Sequence, residues 1–150
     1  MITTRRIDKG DRAAWLSLWS QYLDFYGQAI QAEVTDQTWN RFFTDEGHKC
    51  LIAVDPAMGK VIGFTTYLIH PSTWTLHGYC YLEDLFVDPS ATSRGAGRLL
   101  IEAVGAVANE MRISRVYWHT QSDNLVAQGL YDKVGKNSQM IQYRITAASS

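Results

Sequence analysis

The sequence predicts a mixed α/β fold in a single domain, and three observations support this prediction. The chain has 150 residues, a length typical of one domain. Of these residues 46% are hydrophobic, which is enough apolar material to bury one core. Segments rich in β-branched and aromatic residues alternate along the chain with segments in which apolar residues recur at helical spacing.

The first predicted elements are a short strand and a helix. Residues 3–7 have the composition of a strand, and Asp11 can cap the helix that follows. Apolar residues then recur at helical spacing and predict the buried face of this helix, which consists of Trp15, Leu16, Trp19, Leu23 and Tyr26.

A second helix and a hairpin are predicted next. The helix begins at Thr35 and ends at about Phe43. Residues 50–54 and 61–69 have the composition of strands, and the turn sequence between them, which contains Pro56 and Gly59, predicts a hairpin. Residues 70–78 are predicted to connect this hairpin to the next strand, although they contain an aromatic residue, Trp74.

The strand predicted at residues 79–87 ends where Asp88 and Pro89 provide a stop signal. A loop of small residues follows, and then a helix that is predicted to end near Met111. The remaining predicted elements are a strand at 115–120, a helix at 124–134 and a last strand at 140–145. Only residues 147–150 have the composition of a loose tail.

Composition and charge exclude several functions. The 14 Lys and Arg residues nearly balance the 15 Asp and Glu residues, so we expect neither nucleic acid nor a membrane surface as a partner. The first residues contain no apolar segment long enough for a signal sequence or a membrane span, which predicts a cytoplasmic protein.

Cysteine and histidine usage predicts no metal site. Cys50 and Cys80 lack metal-ligand spacing and are expected to be buried free thiols. The four histidines are also scattered without ligand spacing, so packing or solvent exposure is the expected role of each: His48, His70, His77 and His119.

The glycine loop before the third helix is a candidate anion site. Free backbone amides at a helix start favour an anion, and glycines allow it to approach the backbone closely. Arg98 falls in the first helical turn, where a cation is unfavourable by about 0.3 to 1 kcal/mol unless an anion lies nearby. The alternative is a solvated turn in which Arg98 pairs with Glu102. Leu100 stands where a dinucleotide-binding fingerprint requires glycine, so that motif is not met.

Three segments, together with the order of the predicted elements, identify a known family. They are Gly95, Ala96 and Gly97 followed by Arg98; residues 81–87; and Asn124, Ala127, Leu130, Tyr131 and Gly135. These segments resemble the GNAT superfamily of acetyltransferases over nearly the whole chain. Residues 81–87 are similar to the fourth strand of spermidine/spermine acetyltransferases and of fungal histone and polyamine acetyltransferases.

The resemblance implies a GNAT-like fold, with a mostly antiparallel sheet of about six or seven strands flanked by four helices. It also implies that the protein is an enzyme with acetyl-CoA as cosubstrate and that it is a homodimer. The residues implied to bind acetyl-CoA are Leu85, Phe86, Val87, Thr92, Ser93, Arg94, Gly95, Ala96, Gly97, Arg98, Asn124 and Tyr131. The family usually has Arg or Gln where Thr92 stands, and Asn124 could also be only a helix cap.

Two catalytic residues are implied by the same resemblance. Strand alternation places Glu83 and Asp84 on opposite faces, so only one of these acids can face the substrate. The resemblance assigns that role to Glu83, as general base or as the anchor of a water relay. It assigns Tyr131 as the general acid that protonates the departing thiolate. Cys80 lacks a neighbouring base, so direct transfer in a ternary complex is expected.

The acceptor is expected to be a small primary amine, such as a polyamine or an amino acid. Tyr26 and Trp74, together with Glu83, are candidate substrate-binding residues, although such aromatic residues are more often part of a core. Two alternatives are acetylation of a protein lysine or amino terminus, and an acyl-CoA-binding module without catalytic activity.

Overall fold

The computed structural model describes residues 1–91 and 94–148. The chain divides into two compact units, Met1–His119 and Thr120–Ser150. The first unit contains β1 (Thr3–Arg6), α1 (Arg12–Phe25), α2 (Ala32–Arg41), β2 (Lys49–Asp55), β3 (Lys60–His70), β4 (Tyr79–Val87), α3 (Ala96–Glu110) and β5 (Val116–Tyr117). The second unit contains α4 (Leu125–Val134).

The first unit is built on one sheet whose strands lie in the order β1-β2-β3-β4-β5. Neighbouring strands from β1 to β4 are antiparallel, and β5 is parallel to β4. The mixed α/β class, the mostly antiparallel sheet and the four helices are therefore confirmed.

An aromatic core covers one face of this sheet. Trp15 of α1 is fully buried, and its ring lies 5.4 Å from that of Trp19 and 6.4 Å from that of Phe64 on β3. The neighbouring residue, Gly63, points to the opposite face, where a Cβ would lie 3.4 Å from Leu100 of α3. Helices α1 and α3 thus pack against opposite faces of the sheet.

Three predicted details of the elements are wrong. The sheet formed by the described residues has five strands, because residues 140–145 form no strand and have no partner strand to complete a ladder. Leu16 is 42% exposed, since the buried face of α1 follows the i, i+3, i+4 spacing of Trp15, Leu18 and Trp19. Helix α2 begins at Ala32, three residues before the predicted start.

The fourth strand contains a β-bulge. Thr66 pairs with Asp84, whereas the next residue of β3, Tyr67, pairs with Leu82. Glu83 is consequently an extra residue with no partner on β3, and the simple alternation predicted for this strand is interrupted. Leu82 and Asp84 are two residues apart and would share a face in a regular strand, but the bulge places them on opposite faces.

The sequence also made predictions about the cysteines, membrane-spanning helices and domain organisation. Both cysteines are free and buried, as expected. Within the described ranges no helix combines the length and the apolar content that a membrane span requires. The organisation of the chain as one domain stays a prediction.

Candidate active site

The bulge residue Glu83 forms a hydrogen bond with a histidine from a distant part of the chain. His48, immediately before β2, places its ring Nε2 2.7 Å from Oε1 of Glu83. This hydrogen bond lowers the pKa of Glu83 and raises the pKa of His48. Glu83 keeps 45% of its side chain exposed, so an ionised carboxylate is accessible from solvent.

The neighbouring acid, Asp84, is instead largely buried and hydrogen-bonded to other side chains. Its carboxylate accepts hydrogen bonds from the hydroxyl of Tyr22 on α1 at 2.8 Å and from that of Thr66 on β3 at 2.5 Å. Burial raises the pKa of Asp84 and, as the largest cause, that of Tyr22. Asp84 thus joins α1 to the sheet, and the two adjacent acids have opposite environments.

The two aromatic residues predicted to contact the acceptor lie in different surroundings. The ring of Tyr26, at the end of α1, lies 5.2 Å from the ring of Tyr22 and so belongs to the group around Asp84. Trp74 lies in the loop between β3 and β4 with 86% of its surface exposed. Within residues 1–91 and 94–148 no ring contact joins Trp74 to that group.

One edge of β4 extends beyond its neighbour. Strand β5 pairs with β4 only at Cys80 and Tyr81. The amide of Asp88 donates to the carbonyl of Ile62 at 2.7 Å, toward β3. The hydrogen-bonding direction of the backbone alternates along a strand. The N–H and C=O groups of Phe86 therefore also point toward β3, whereas those of Leu85 and Val87 point toward the other edge of β4. These groups are in position to pair with an extended ligand.

The glycine loop forms the start of α3. Gly95 adopts a left-handed conformation with φ of 82°, and a Cβ at this position would meet no atom within 4 Å. The first amides of α3, from Ala96 and Gly97, lie at the N-terminus of the helix, where backbone donors favour an anion. Open space beside Gly95 at a helix N-terminus fits a diphosphate. Thr92 and Ser93 lie outside the described residues.

Both arginines of this loop form ion pairs. Arg94 donates to Asp55 at 2.6 Å, and this hydrogen bond lowers the pKa of that buried carboxylate. Arg98 donates to Glu102 at 2.8 Å, which is the alternative that the sequence left open. Arg98 is about half exposed, so this pair can rearrange around an anion.

The second unit contains two further predicted site residues on one helix. Asn124 caps α4, because its side chain accepts a hydrogen bond from the amide of Ala127 at 3.3 Å. Tyr131 lies near the end of the same helix and is half-buried. The predicted helix is confirmed, and Asn124 forms the cap that was the alternative to coenzyme contact.

The sequence pattern did not predict the hydrogen bond between His48 and Glu83. It also did not predict a cluster of rings on β3, β4 and the segment that contains β5. In this tyrosine–histidine cluster the Tyr117 hydroxyl lies 2.7 Å from Nε2 of His70, and the Tyr81 hydroxyl lies 3.2 Å from Nδ1 of His119. The rings of Tyr81 and Tyr117 stack at 5.1 Å. Only the strand register brings these residues together, and the sequence pattern does not give that register.

The buried thiol of Cys80 is poorly suited to nucleophilic catalysis. Burial raises its pKa to about 11, so almost none of it is thiolate near neutral pH. This favours direct transfer, which stays a prediction.

Comparisons with known proteins find matches in both sequence and structure. A family model described as the acetyltransferase (GNAT) family matches residues 13–135. The D-amino-acid N-acetyltransferase HPA3 of Saccharomyces cerevisiae is 36% identical over 145 residues, which cover 95% of this chain and 89% of the relative. The thialysine N-epsilon-acetyltransferase of Mus musculus is 33% identical over 87 residues, or 51% of each chain. An integron cassette protein from the mobile metagenome of V. cholerae has a similar structure, with a TM-score of 0.78, 26% identity and coverage of 97% of this chain and 93% of that one.

Proposed function

This chain belongs to the acetyltransferase (GNAT) family, and from that premise we propose that it transfers the acetyl group of acetyl-CoA to a primary amine of a small molecule. The observation that carries the proposal is the accessible, ionised carboxylate of Glu83 at a bulge, directly before the open edge of β4. A carboxylate attracts an ammonium ion, and the open edge accepts an extended cosubstrate.

Acetyl-CoA is proposed to bind along this edge and at the start of α3. The peptide groups of Leu85 and Val87 hold the pantetheine arm, with Phe86 between them. The helix-start amides hold the diphosphate together with the loop side chains. These side chains and the other proposed contacts of the cosubstrate are Thr92, Ser93, Arg94, Gly95, Ala96, Gly97, Arg98 and Asn124. The bound thioester supplies an activated acetyl group.

The acceptor amine must lose a proton before it attacks. At pH 7 this costs about 4 to 5 kcal/mol for an alkyl ammonium ion. Because its pKa is lowered, Glu83 is a weak proton acceptor but a good binding partner for the ammonium group. We assign Glu83 as the anchor of the proton relay, in contact with the substrate.

Tyr131 is proposed to complete the transfer. The amine nitrogen forms a bond to the carbonyl carbon and loses its extra proton to water as the carbon–sulfur bond breaks. The Tyr131 hydroxyl gives its proton to the departing thiolate and is reprotonated from water. An amide of residues 85–87 stabilises the negative charge that develops on the carbonyl oxygen.

An amino acid or a related metabolite is the acceptor class we favour. Two relatives carry names that state amino-acid acceptors, D-amino acids and thialysine. Tyr26 and Trp74 are proposed to line the acceptor site. Acetylation of a protein amine and binding without catalysis remain the alternatives.

Cosubstrate binding is tested by calorimetric titration of the purified protein with acetyl-CoA, NAD and ATP. We expect acetyl-CoA alone to bind with a saturable heat signal. Leu100 stands where a dinucleotide-binding fingerprint requires glycine, and Arg98 and Leu99 stand where a P-loop requires Lys followed by Ser or Thr. Heat from NAD or ATP, with none from acetyl-CoA, would overturn the proposed cosubstrate.

A homodimer is proposed from the exposed end of the second unit. Met140, Ile141, Tyr143 and Ile145 are 75% to 91% exposed, in a segment with the alternating pattern of a strand. Pairing with the same segment or a sheet edge of a second copy would bury them.

The double variant Ile141→Lys with Tyr143→Lys is expected to sediment as a monomer, because it charges one face of that segment. The single variant Gln142→Lys, which adds charge to the other face, should stay a dimer like the unaltered protein. A monomeric unaltered protein would contradict the dimer. A cytoplasmic location stays a prediction.

A further inference from the structure

We infer that His48 is a further catalytic residue: its imidazole takes the proton that the acceptor amine loses, while Glu83 orients the ring. The inference rests on the proposed function and adds to it a residue from outside the three segments that carry the family resemblance. Its basis is the hydrogen bond of 2.7 Å between Nε2 of His48 and Oε1 of Glu83.

This hydrogen bond decides which ring nitrogen can act. When His48 is neutral and donates from Nε2 to the carboxylate, Nδ1 carries a lone pair. Among the described residues Nδ1 has no hydrogen-bond partner within the protein, so no protein group there competes with a substrate for its lone pair. A carboxylate that fixes the tautomer and orientation of an imidazole is the arrangement that makes histidine an effective base.

The electrostatic surroundings suit this role. Three charged groups and partial burial influence the pKa of His48. Glu83 and Asp84 favour the imidazolium form, whereas burial and the guanidinium of Arg41 disfavour it. The hydrogen bond to Glu83 is the largest of these causes, and the net result is a raised pKa. A base whose pKa lies near the working pH removes protons more effectively than a carboxylate whose pKa is lowered.

The proposed step balances in protons and electrons. One proton of the ammonium group moves to Nδ1 of His48, and the freed lone pair of the nitrogen attacks the acetyl carbonyl carbon. The nitrogen then loses its second proton to water as the carbon–sulfur bond breaks, and the departing thiolate is protonated separately. The imidazolium later returns its proton to water, to which 30% of the His48 side chain is exposed.

The other histidines have different partners. His70 and His119 lie beside tyrosine hydroxyls in the tyrosine–histidine cluster. His77 is exposed in the loop between β3 and β4. Of the four, His48 alone is hydrogen-bonded to a carboxylate within residues 1–91 and 94–148, which distinguishes it from a packing residue.

The test uses the purified protein, acetyl-CoA and an amine that it acetylates. His48→Ala is expected to lower kcat by about 10²-fold, the contribution typical of a positioned base. Acetyl-CoA affinity by calorimetry should be unchanged, and added imidazole should restore part of the rate. The control His77→Ala removes an exposed histidine and should keep the full rate.

The pH dependence of kcat separates catalysis from a structural role. In the unaltered protein kcat should fall as the pH drops through the raised pKa of His48, because the imidazolium cannot accept a proton. In His48→Ala this acidic limb should disappear or move. An unchanged limb, or no gain from imidazole, would overturn the inference and leave the proposed function intact. If the unaltered protein acetylates no amine, the proposed function fails and this inference fails with it.

Discussion

Replacement of Tyr131 by Phe is expected to lower kcat by about 10²- to 10³-fold, within the range of a general acid. The variant loses only the hydroxyl that is proposed to protonate the coenzyme A thiolate. Acetyl-CoA should bind with nearly unchanged affinity, because the ring and its half-buried place on α4 are kept. Steady-state kinetics and calorimetry measure the two effects separately.

The matched control for this variant is Tyr143→Phe. Tyr143 is 87% exposed in the C-terminal segment, and removal of its hydroxyl should leave kcat unchanged. A Tyr131→Phe variant that turns over at the unaltered rate would remove Tyr131 as the acid. Equal losses in both variants would attribute the effect to something other than proton donation.

Glu83→Gln is expected to lower kcat/KM for the amine by about 10²-fold, since the uncharged amide no longer attracts the ammonium group or orients His48. The acidic limb of kcat should also move to lower pH. Glu83 raises the pKa of His48, so its removal lets the imidazole become neutral at lower pH. A pH–rate series on both proteins measures the shift.

Fold stability should be almost unaffected by this substitution. The side chains of His48 and Glu83 are 30% and 45% exposed, and exposed pairs of this kind contribute up to about 1 kcal/mol even when both groups are charged. Glu110→Gln, at the exposed end of α3, is the control and should keep the unaltered kinetics. An acidic limb that does not move, with a rate close to that of the unaltered protein, would place proton removal elsewhere.

The residue pattern predicted where the helices and strands lie better than it predicted how the strands pair with one another. The bounds of β4 agree with the sequence prediction, because its β-branched and aromatic residues end at a clear stop, Asp88 and Pro89. The bulge at Glu83 was not predicted, since pairing with β3 depends on contacts between strands. The alternation rule therefore fails at this point of the strand, and the two acids differ in burial and partners rather than by simple alternation.

The sequence pointed to those candidate site residues that lie in short recognisable motifs. The glycine loop, the cap Asn124 and Glu83 each lie in a recognisable segment. His48 does not, because 35 residues separate it from Glu83 and only the folded sheet joins them. Residues 140–145 show the opposite failure, in which a local signal predicted an element that does not form. Their pattern favours a strand, but a strand needs a partner strand.

Acetyl transfer by the unaltered protein tests the central claim most directly. The protein is incubated with acetyl-CoA and a panel of amines that contains D- and L-amino acids, ornithine, thialysine and polyamines. Free coenzyme A thiol and the mass of each amine are then measured. We expect at least one small amine to accelerate thiol release and to gain one acetyl group. If acetyl-CoA binds but no amine is acetylated, the protein is not the proposed small-molecule acetyltransferase.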